Sequence, residues 1–409
     1  MDNWINKTIT RRYRVQNTFK RIGQGAIFCI FLIIITLLGS IIYEALPAFK
    51  KAYILVEVPV IEGRLAKNMS SRKVVYQYMN NKFDVQTRTE KKAVKGLFSS
   101  ASTYELDMLK KNSGHLVGDT KKVWLSSSDT LDQFVKGKIT RNIPESKRKF
   151  TNLQMDWVER LQRTNEIEVR FNKDFFLNTD SRDASQAGIL GAVIGSVMTL
   201  IICLVLSLVV GVAGAVYLEE FSAKSRINFL IEMTINNLAA VPSIIFGLLG
   251  LAILLNVFGM PRSASLTGGV VLAVMSLPTI MIVTRNALKA VPDTLRLAGL
   301  GLGANRLQVV FHHILPRAIP SIITGSIITM AQALGETAPL LMIGMMAFIA
   351  DLPNNVLEPA VTLPVQIFLW ADMPETAFIE KTSAAILVLL CIVFILIGTA
   401  TYLRNKFEK

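Results

Sequence analysis

The sequence predicts an all-α polytopic membrane protein with six transmembrane helices and a small α+β extracytoplasmic domain between the first two. Three observations predict it. Hydrophobic residues make up 51% of the 409, and mean hydropathy is +0.44; a soluble chain of this length would have to bury too much apolar surface. Several apolar runs have about the 20-residue length that a bilayer core requires. One long segment, 47–186, breaks the pattern: it has 26 Lys and Arg against 17 Asp and Glu, and no run long enough to span. The net charge of +14 would point to nucleic acid in a soluble protein. In a membrane protein it marks basic inner flanks, so no nucleic-acid partner is expected.

Residues 1–24 form a basic tail with Lys7, Arg11, Arg12, Arg14, Lys20 and Arg21. The apolar run 25–46 is the first span. It is too long for the core of a cleaved signal peptide and lacks a small-x-small exit. Within 47–186, apolar spacing predicts helices over 74–83, 103–111 and 152–162 and strands over 123–125 and 166–171. A segment this long needs its own core.

Five spans complete the region 187–403. They are expected over 188–217, 235–258 with Pro242 as a kink, 266–284 with Ser276 and Pro278, 319–348, and 383–402. The run 363–370 reads as an interfacial or re-entrant helix, with Trp370 at headgroup level. Residues 404–409 form a short basic tail. Basic residues gather in both tails and in 218–234 and 285–317. These parts are expected in the cytoplasm and the segment 47–186 outside. The nine surplus positive charges there (26 minus 17) could steer anions, but a solvated basic surface is the plainer reading.

Most chemistry is absent. Cys29, Cys203 and Cys391 all lie in apolar runs, which supports buried hydrophobes rather than disulfides. His115, His312 and His313 make no metal constellation with carboxylates. No GxxxxGK[ST] is present, and Gly299, Gly301 and Gly303 do not follow the G-x-G-x-x-G spacing. No cofactor, metal site or catalytic residue is expected, so the chain is not read as an enzyme.

The informative stretch is 291–344. Its first part, 291–317, carries Arg296, Arg306, His312, His313 and Arg317 and cannot lie in lipid as it stands. Pro292 opens a short helix, Gly303 breaks it, residues 304–311 form a second, and Leu315-Pro316 ends that one before the next span. A short exposed helix between spans suits a groove on another protein. The second part can span, yet carries Gln332, Glu336 and Thr337 near its middle, and polar residues there are functional candidates.

These residues resemble a known family. Ala298 and Gly299 after Leu297, then Gly303-Ala304 and Leu315-Pro316, are similar to the cytoplasmic EAA loop of type I (MetI-like) ABC importer permeases. Leu297 stands where that family has Glu. The segments ALGETAPLL (333–341), NLAAVPSI (237–244) and TLPVQI (362–367) resemble the signatures of the PstA-type phosphate permease subunits. The resemblance covers the first span and 187 onward; the segment 47–186 is similar to an extension found in a subset. It implies a multi-pass permease of the bacterial inner membrane, in contact with lipid, that imports inorganic phosphate. The implied partners are a PstC-like second permease, a dimer of PstB-like ATP-binding subunits that the loop Ala298–Pro316 docks on, and a periplasmic PstS-like phosphate-binding protein. ATP hydrolysis would be the partner's. A permease for sulfate or molybdate is the alternative; a membrane sensor would need an output domain larger than 403–409.

Four residues are candidates for the pathway or gate. Arg285 is the side-chain type best matched to phosphate oxygens, or it is an anchor at the membrane edge. Gln332 replaces an Arg found in many relatives. Glu336 cannot attract an anion; it is expected to hold a basic side chain of the paired permease or to cap a broken helix. Thr337, like Thr284, could donate a hydroxyl or merely bond back to its own helix.

Overall fold

The computed structural model describes residues 2–61, 64–65, 69–112, 119–222, 225–346 and 348–407. His115, Lys224 and Lys409 lie outside them. Helix α1, Asp2–Ala45, carries the basic tail and the first apolar run as one helix of 44 residues. Pro47, in the 3-10 turn Leu46–Phe49, cannot continue it.

The chain then enters a four-stranded antiparallel sheet. Its central strand is β1, Lys50–Ile61, which the sequence reading leaves out. Its period-two signal is present: Ala52, Ile54, Val56 and Val58 all face the core. β2, Arg64–Leu65, closes a hairpin on β1. β3, Thr120–Ser126, pairs with β1 through Val56 opposite Val123, and β4, Ile167–Phe171, pairs with it through Tyr53 opposite Glu168. Six helices accompany the sheet: α2 Ser71–Lys82, α3 Arg88–Lys95, α4 Ser100–Asn112, α5 Asp129–Val135, α6 Asn152–Arg163 and α7 Lys173–Leu177. The three expected helices correspond to α2, α4 and α6. Helix α6 starts where Thr151 and Gln154 cap each other's backbone N–H groups. A core containing Ile54, Met79, Leu106, Leu125 and Leu161 holds the domain together.

The rest is helical: α8 Leu190–Val216, α9 Arg226–Leu238, α10 Ser243–Leu249, α11 Ser265–Lys289, α12 Asp293–Gly301, α13 Arg306–Val309, α14 Leu315–Gly335, α15 Ala338–Met342, α16 Leu363–Ala371 and α17 Thr376–Phe407. Among the described residues five helices are long and apolar enough to cross a membrane, or six if a bent pair is one span. Helices α8 and α11 pack closely because small residues let them. A Cβ on Gly269 would lie 2.6 Å from Ile202, and one on Gly211 would lie 2.9 Å from Ile280.

Four expectations need correction. The third segment bends at Pro242 as expected, with α9 and α10 at 105°, but it starts at Arg226 rather than at 235. Pro242 offers no N–H and pushes Val241 out of helical geometry. The fifth span does not run 319–348. Helix α14 stops at Gly335, Glu336 turns extended with ψ 113°, and Pro339 starts the short α15. Leu315-Pro316 does not end the loop helix either. A π-helical turn, Val310–Ile314, joins α13 to α14, and Pro316 sits in the first turn of α14, where a missing N–H costs little. Lastly, Trp370 is not at a water boundary. It is 1% exposed, and its indole Nε1 donates to Asp180 Oδ1 at 2.9 Å.

That bond belongs to a charged junction between the α/β domain and α16–α17. Lys51 pairs with Asp174 at 2.5 Å. Lys136 joins Asp132 and Glu380, and Lys149 reaches Glu375 at 3.2 Å. The Lys381 ammonium donates to the Ala187 carbonyl. The cavity around Lys51, Lys136, Glu380 and Lys381 is only about 20 Å³, room for about one water, while a cavity of about 260 Å³ opens beside Lys149 and Glu375.

Burial pushes the Asp180 carboxyl above its ordinary range, although hydrogen bonds such as that from Trp370 hold it down. The folded protein therefore binds this proton more tightly than the unfolded chain. Stability from this group is complete below the ordinary carboxylate value, about pH 4, and is lost as pH rises through the raised value. The thermal midpoint of the detergent-purified protein should fall with rising pH just above pH 4. Asp180→Asn, which keeps an acceptor for Trp370, should flatten that slope.

Candidate transmission and translocation site

Two places in the bundle hold the sequence-predicted residues. They lie toward opposite ends of α14, which has 21 residues and is therefore about 30 Å long.

The first is the loop between α11 and α14, at the end of the bundle remote from the α/β domain. Helix α12 begins after Pro292. Gly303 has φ +84°, a left-handed conformation that glycine adopts at no steric cost. Asn305 then caps α13: it accepts from Gln308 N at 2.8 Å, while Gln308 Oε1 accepts from Asn305 N at 3.0 Å. Gly299 is buried where α12 crosses the next turn, and a Cβ there would lie 2.8 Å from Val309. Val291, Val309, Val310, Ile314 and Ala318 form a small apolar core beneath the loop. On its outside, Leu297 is 68% and Leu302 90% exposed, and Leu300 and Leu307 are exposed as well. Ala298, Gly303 and Pro316 are exposed, while Ala304 and Leu315 are half-buried.

An ion cluster flanks the loop. Arg285 NH1 is 2.8 Å from Glu232, and its Nε is 3.2 Å from Glu219. Lys289 adds a longer pair to Glu219 at 3.7 Å. Arg296 meets Glu220 at 2.7 Å; this bond to the carboxylate, more than any other neighbour, raises the guanidinium's already high pKa. A cavity of about 590 Å³ opens beside the cluster and is lined by Asn228, Arg306 and both Arg285 carboxylates. Arg285 is therefore paired with two acidic partners in this structure. Sequence reasoning missed Glu219, Glu220 and Glu232 as site residues. The available signal was Glu219-Glu220 closing an apolar run on the side expected to be basic.

The second place is the break after Gly335. Half-helices α10 and α15 pack together there. A Cβ on Gly247 would lie 2.7 Å from Pro339 Cα and 2.8 Å from Met342 Cβ. Two motifs 97 residues apart, around Pro242 and around Pro339, thus meet in space. Gln332 is exposed on α14, and Glu336 and Thr337 are half-buried at the break. Glu336 has no ion-pair partner among the described residues, and no bond links Arg285 to Gln332, Glu336 or Thr337 there. Thr284 is buried, and its hydroxyl has no hydrogen-bond partner among those residues.

Several apolar helices able to cross a bilayer, with two short half-helices meeting in their midst and a structured loop at one end, define a polytopic membrane protein. Residues 207–409 match the family described as "Binding-protein-dependent transport system inner membrane component", and residues 6–145 match one described as "Domain of unknown function (DUF3333)". The chain is 32% identical over 211 residues to the probable ABC transporter permease protein YqgI of Bacillus subtilis, covering 47% of this chain and 71% of that protein. It is 30% identical over 234 residues to the phosphate transport system permease protein PstA of Haemophilus influenzae, covering 57% and 82%. Among solved structures, the inward-facing MetNI methionine ABC transporter is 19% identical over 53% of this chain and 95% of that one, with a TM-score of 0.43. This chain belongs to the family of binding-protein-dependent transport system inner membrane components, as an ABC importer permease.

The abutment of α10 on α15 is testable. Gly247→Ala forces Pro339 backbone to move and should cost about 1–3 kcal/mol, read as a lower thermal midpoint. Gly335→Ala, with nothing within 4 Å of the added carbon, should leave the midpoint unchanged.

Proposed function

We propose that this chain is a membrane-spanning subunit of an ATP-driven importer of inorganic phosphate. The observation that carries this is the join of NLAAVPSI to ALGETAPLL at α10 and α15, in a chain 30% identical to a PstA protein over 82% of that protein's length. The subunit pairs with a second, PstC-like permease. It receives phosphate from a PstS-like binding protein on the outside, where the α/β domain lies. Both termini and the loop of α12 and α13 are cytoplasmic. ATP hydrolysis belongs to a PstB-like dimer that contacts Ala298, Gly299, Gly303, Ala304, Leu315 and Pro316.

The physical demands of the cargo fit this assignment. An anion in transit needs donors and positive ends. The first turns of α10 and α15 leave N–H groups outside helical bonding. With Arg285 held by Glu219 and Glu232, that residue serves a gate at the inner end rather than the anion itself. Gln332, Glu336 and Thr337 line the moving fifth span. Glu336, half-buried, is placed to take a basic side chain from the paired permease, which would also supply the charge that Gln332 lacks. Leu297 and Leu302 make the ATPase contact apolar where relatives use Glu.

A deletion strain should lose uptake of radiolabelled phosphate and regain it with this chain, and sulfate or molybdate should not compete. Equal phosphate uptake with and without the chain would sink the assignment; competition by sulfate would favour the other-oxyanion reading. The loop has its own test. Gly303→Leu places a side chain at φ +84°, a strain of about 1 kcal/mol or more. Transport should fall at least tenfold while immunoblots still find the protein in the membrane.

A further inference from the structure

We infer that Glu220 and Arg296 form the joint through which the α12 loop moves the second and fourth spans as one body. The inference rests on reading that loop as the ATPase contact. It adds which spans the loop is fastened to, and by what.

The geometry is that of a saturated arginine fork. Arg296 NH2 meets Glu220 Oε1 at 2.7 Å, and Nε meets Oε2 at 3.4 Å. The same guanidinium donates to the carbonyls of Leu288 at 2.9 Å and Val291 at 2.8 Å, where α11 ends. A last bond goes to Asp293 Oδ1 at 2.9 Å. One side chain of α12 thus grips the end of α8 through Glu220 and the end of α11 through its carbonyls. Glu220 is only 5% exposed, so the pair is shielded from water and salt, and a planar fork suits this use where an ammonium would not.

The acidic partner sits in a local irregularity. Helix α8 passes into a π-helical turn over Tyr217–Phe221, and such turns recur at functional positions. The two adjacent acids serve different partners: Glu220 takes Arg296, while Glu219 takes Arg285 and Lys289 of α11. Helices α8, α11 and α12 are therefore tied by charge on two sides. The connection to α13 and α14 differs in kind. It runs through Gly299 against Val309 and through Val291, Val310 and Ile314, apolar surfaces that can slide. A push on α12 is carried rigidly to the second and fourth spans and shifts them against the fifth, whose broken end holds Glu336.

The test uses the whole transporter in proteoliposomes with its binding protein, reading ATP hydrolysis and labelled phosphate uptake together. Arg296→Gln and Glu220→Gln should each keep hydrolysis within about twofold of the parent and lower uptake at least tenfold. The double variant should be no worse than either single one, as for residues acting as a unit. Parental uptake per ATP in the variants would overturn the joint. So would proportional loss of both activities with ATPase subunits missing from the purified complex, since that marks a mere assembly contact. If Arg296→Gln does not accumulate, Arg296→Lys keeps the charge without the fork. It should lower uptake per ATP about threefold, and a parental ratio would again overturn the inference. Gly303→Leu in the same assay separates the two ideas: normal transport there removes the loop assignment itself, whereas its loss beside a fully coupled Arg296→Gln removes only the joint.

Discussion

A backbone that leaves helical geometry inside a membrane must be covered by protein, because lipid cannot satisfy its N–H and C=O groups. This chain leaves helical geometry at two places in its apolar bundle, at 239–242 and at 336–337. Much of the bundle follows from covering them. The half-helices α10 and α15 lie on each other, and Gly247 is what lets Pro339 approach. A Cβ on Gly250 would lie 2.5 Å from Val271, which binds the same region to α11. Helix α11 in turn rests on α8 through Gly269 and Gly211. The breaks are affordable because small residues bring four helices close around them.

Charge is handled differently at the two ends of the bundle. At the α/β junction several charges are buried in pairs: Lys51 with Asp174, Lys136 with Asp132 and Glu380. Buried pairs of this kind need full partnering to avoid a large desolvation cost, and they suit a joint that stays closed. At the loop end the pairs are partly open to water, beside a cavity of about 590 Å³. Exposed ion pairs contribute about 0–1 kcal/mol each. The pairs that involve Glu232 and Lys289 can therefore remake partners at little cost, whereas the shielded Glu220–Arg296 pair stays fixed.

Much of the architecture was legible beforehand. The apolar runs, the polar segment 47–186 and the helix–Gly–helix loop all express rules that act within about 20 residues: hydropathy, helix capping and the φ of glycine. The misreadings share a cause. Strand β1 is hard to see in the sequence because it follows the first span almost directly, and Leu46–Phe49 hides the boundary. Apolar composition is continuous through Glu336 and suggests a longer fifth span, although Pro339 signals a stop. Residue type alone suggests headgroups for Trp370, but Asp180, 190 positions away, accepts its indole N–H.

The sequence by itself determined which segments can cross a bilayer, where Pro242 and Gly303 interrupt helices, and which residues match the permease family. These are properties of composition and local stereochemistry. Only the tertiary structure decided that Arg285 is neutralised by Glu219 and Glu232, that Arg296 fastens the loop to Glu220 across 76 positions, and that the two broken spans abut. Each of these depends on side chains far apart in sequence. Local propensity carries no information about which carboxylate a guanidinium will meet once the helices have packed.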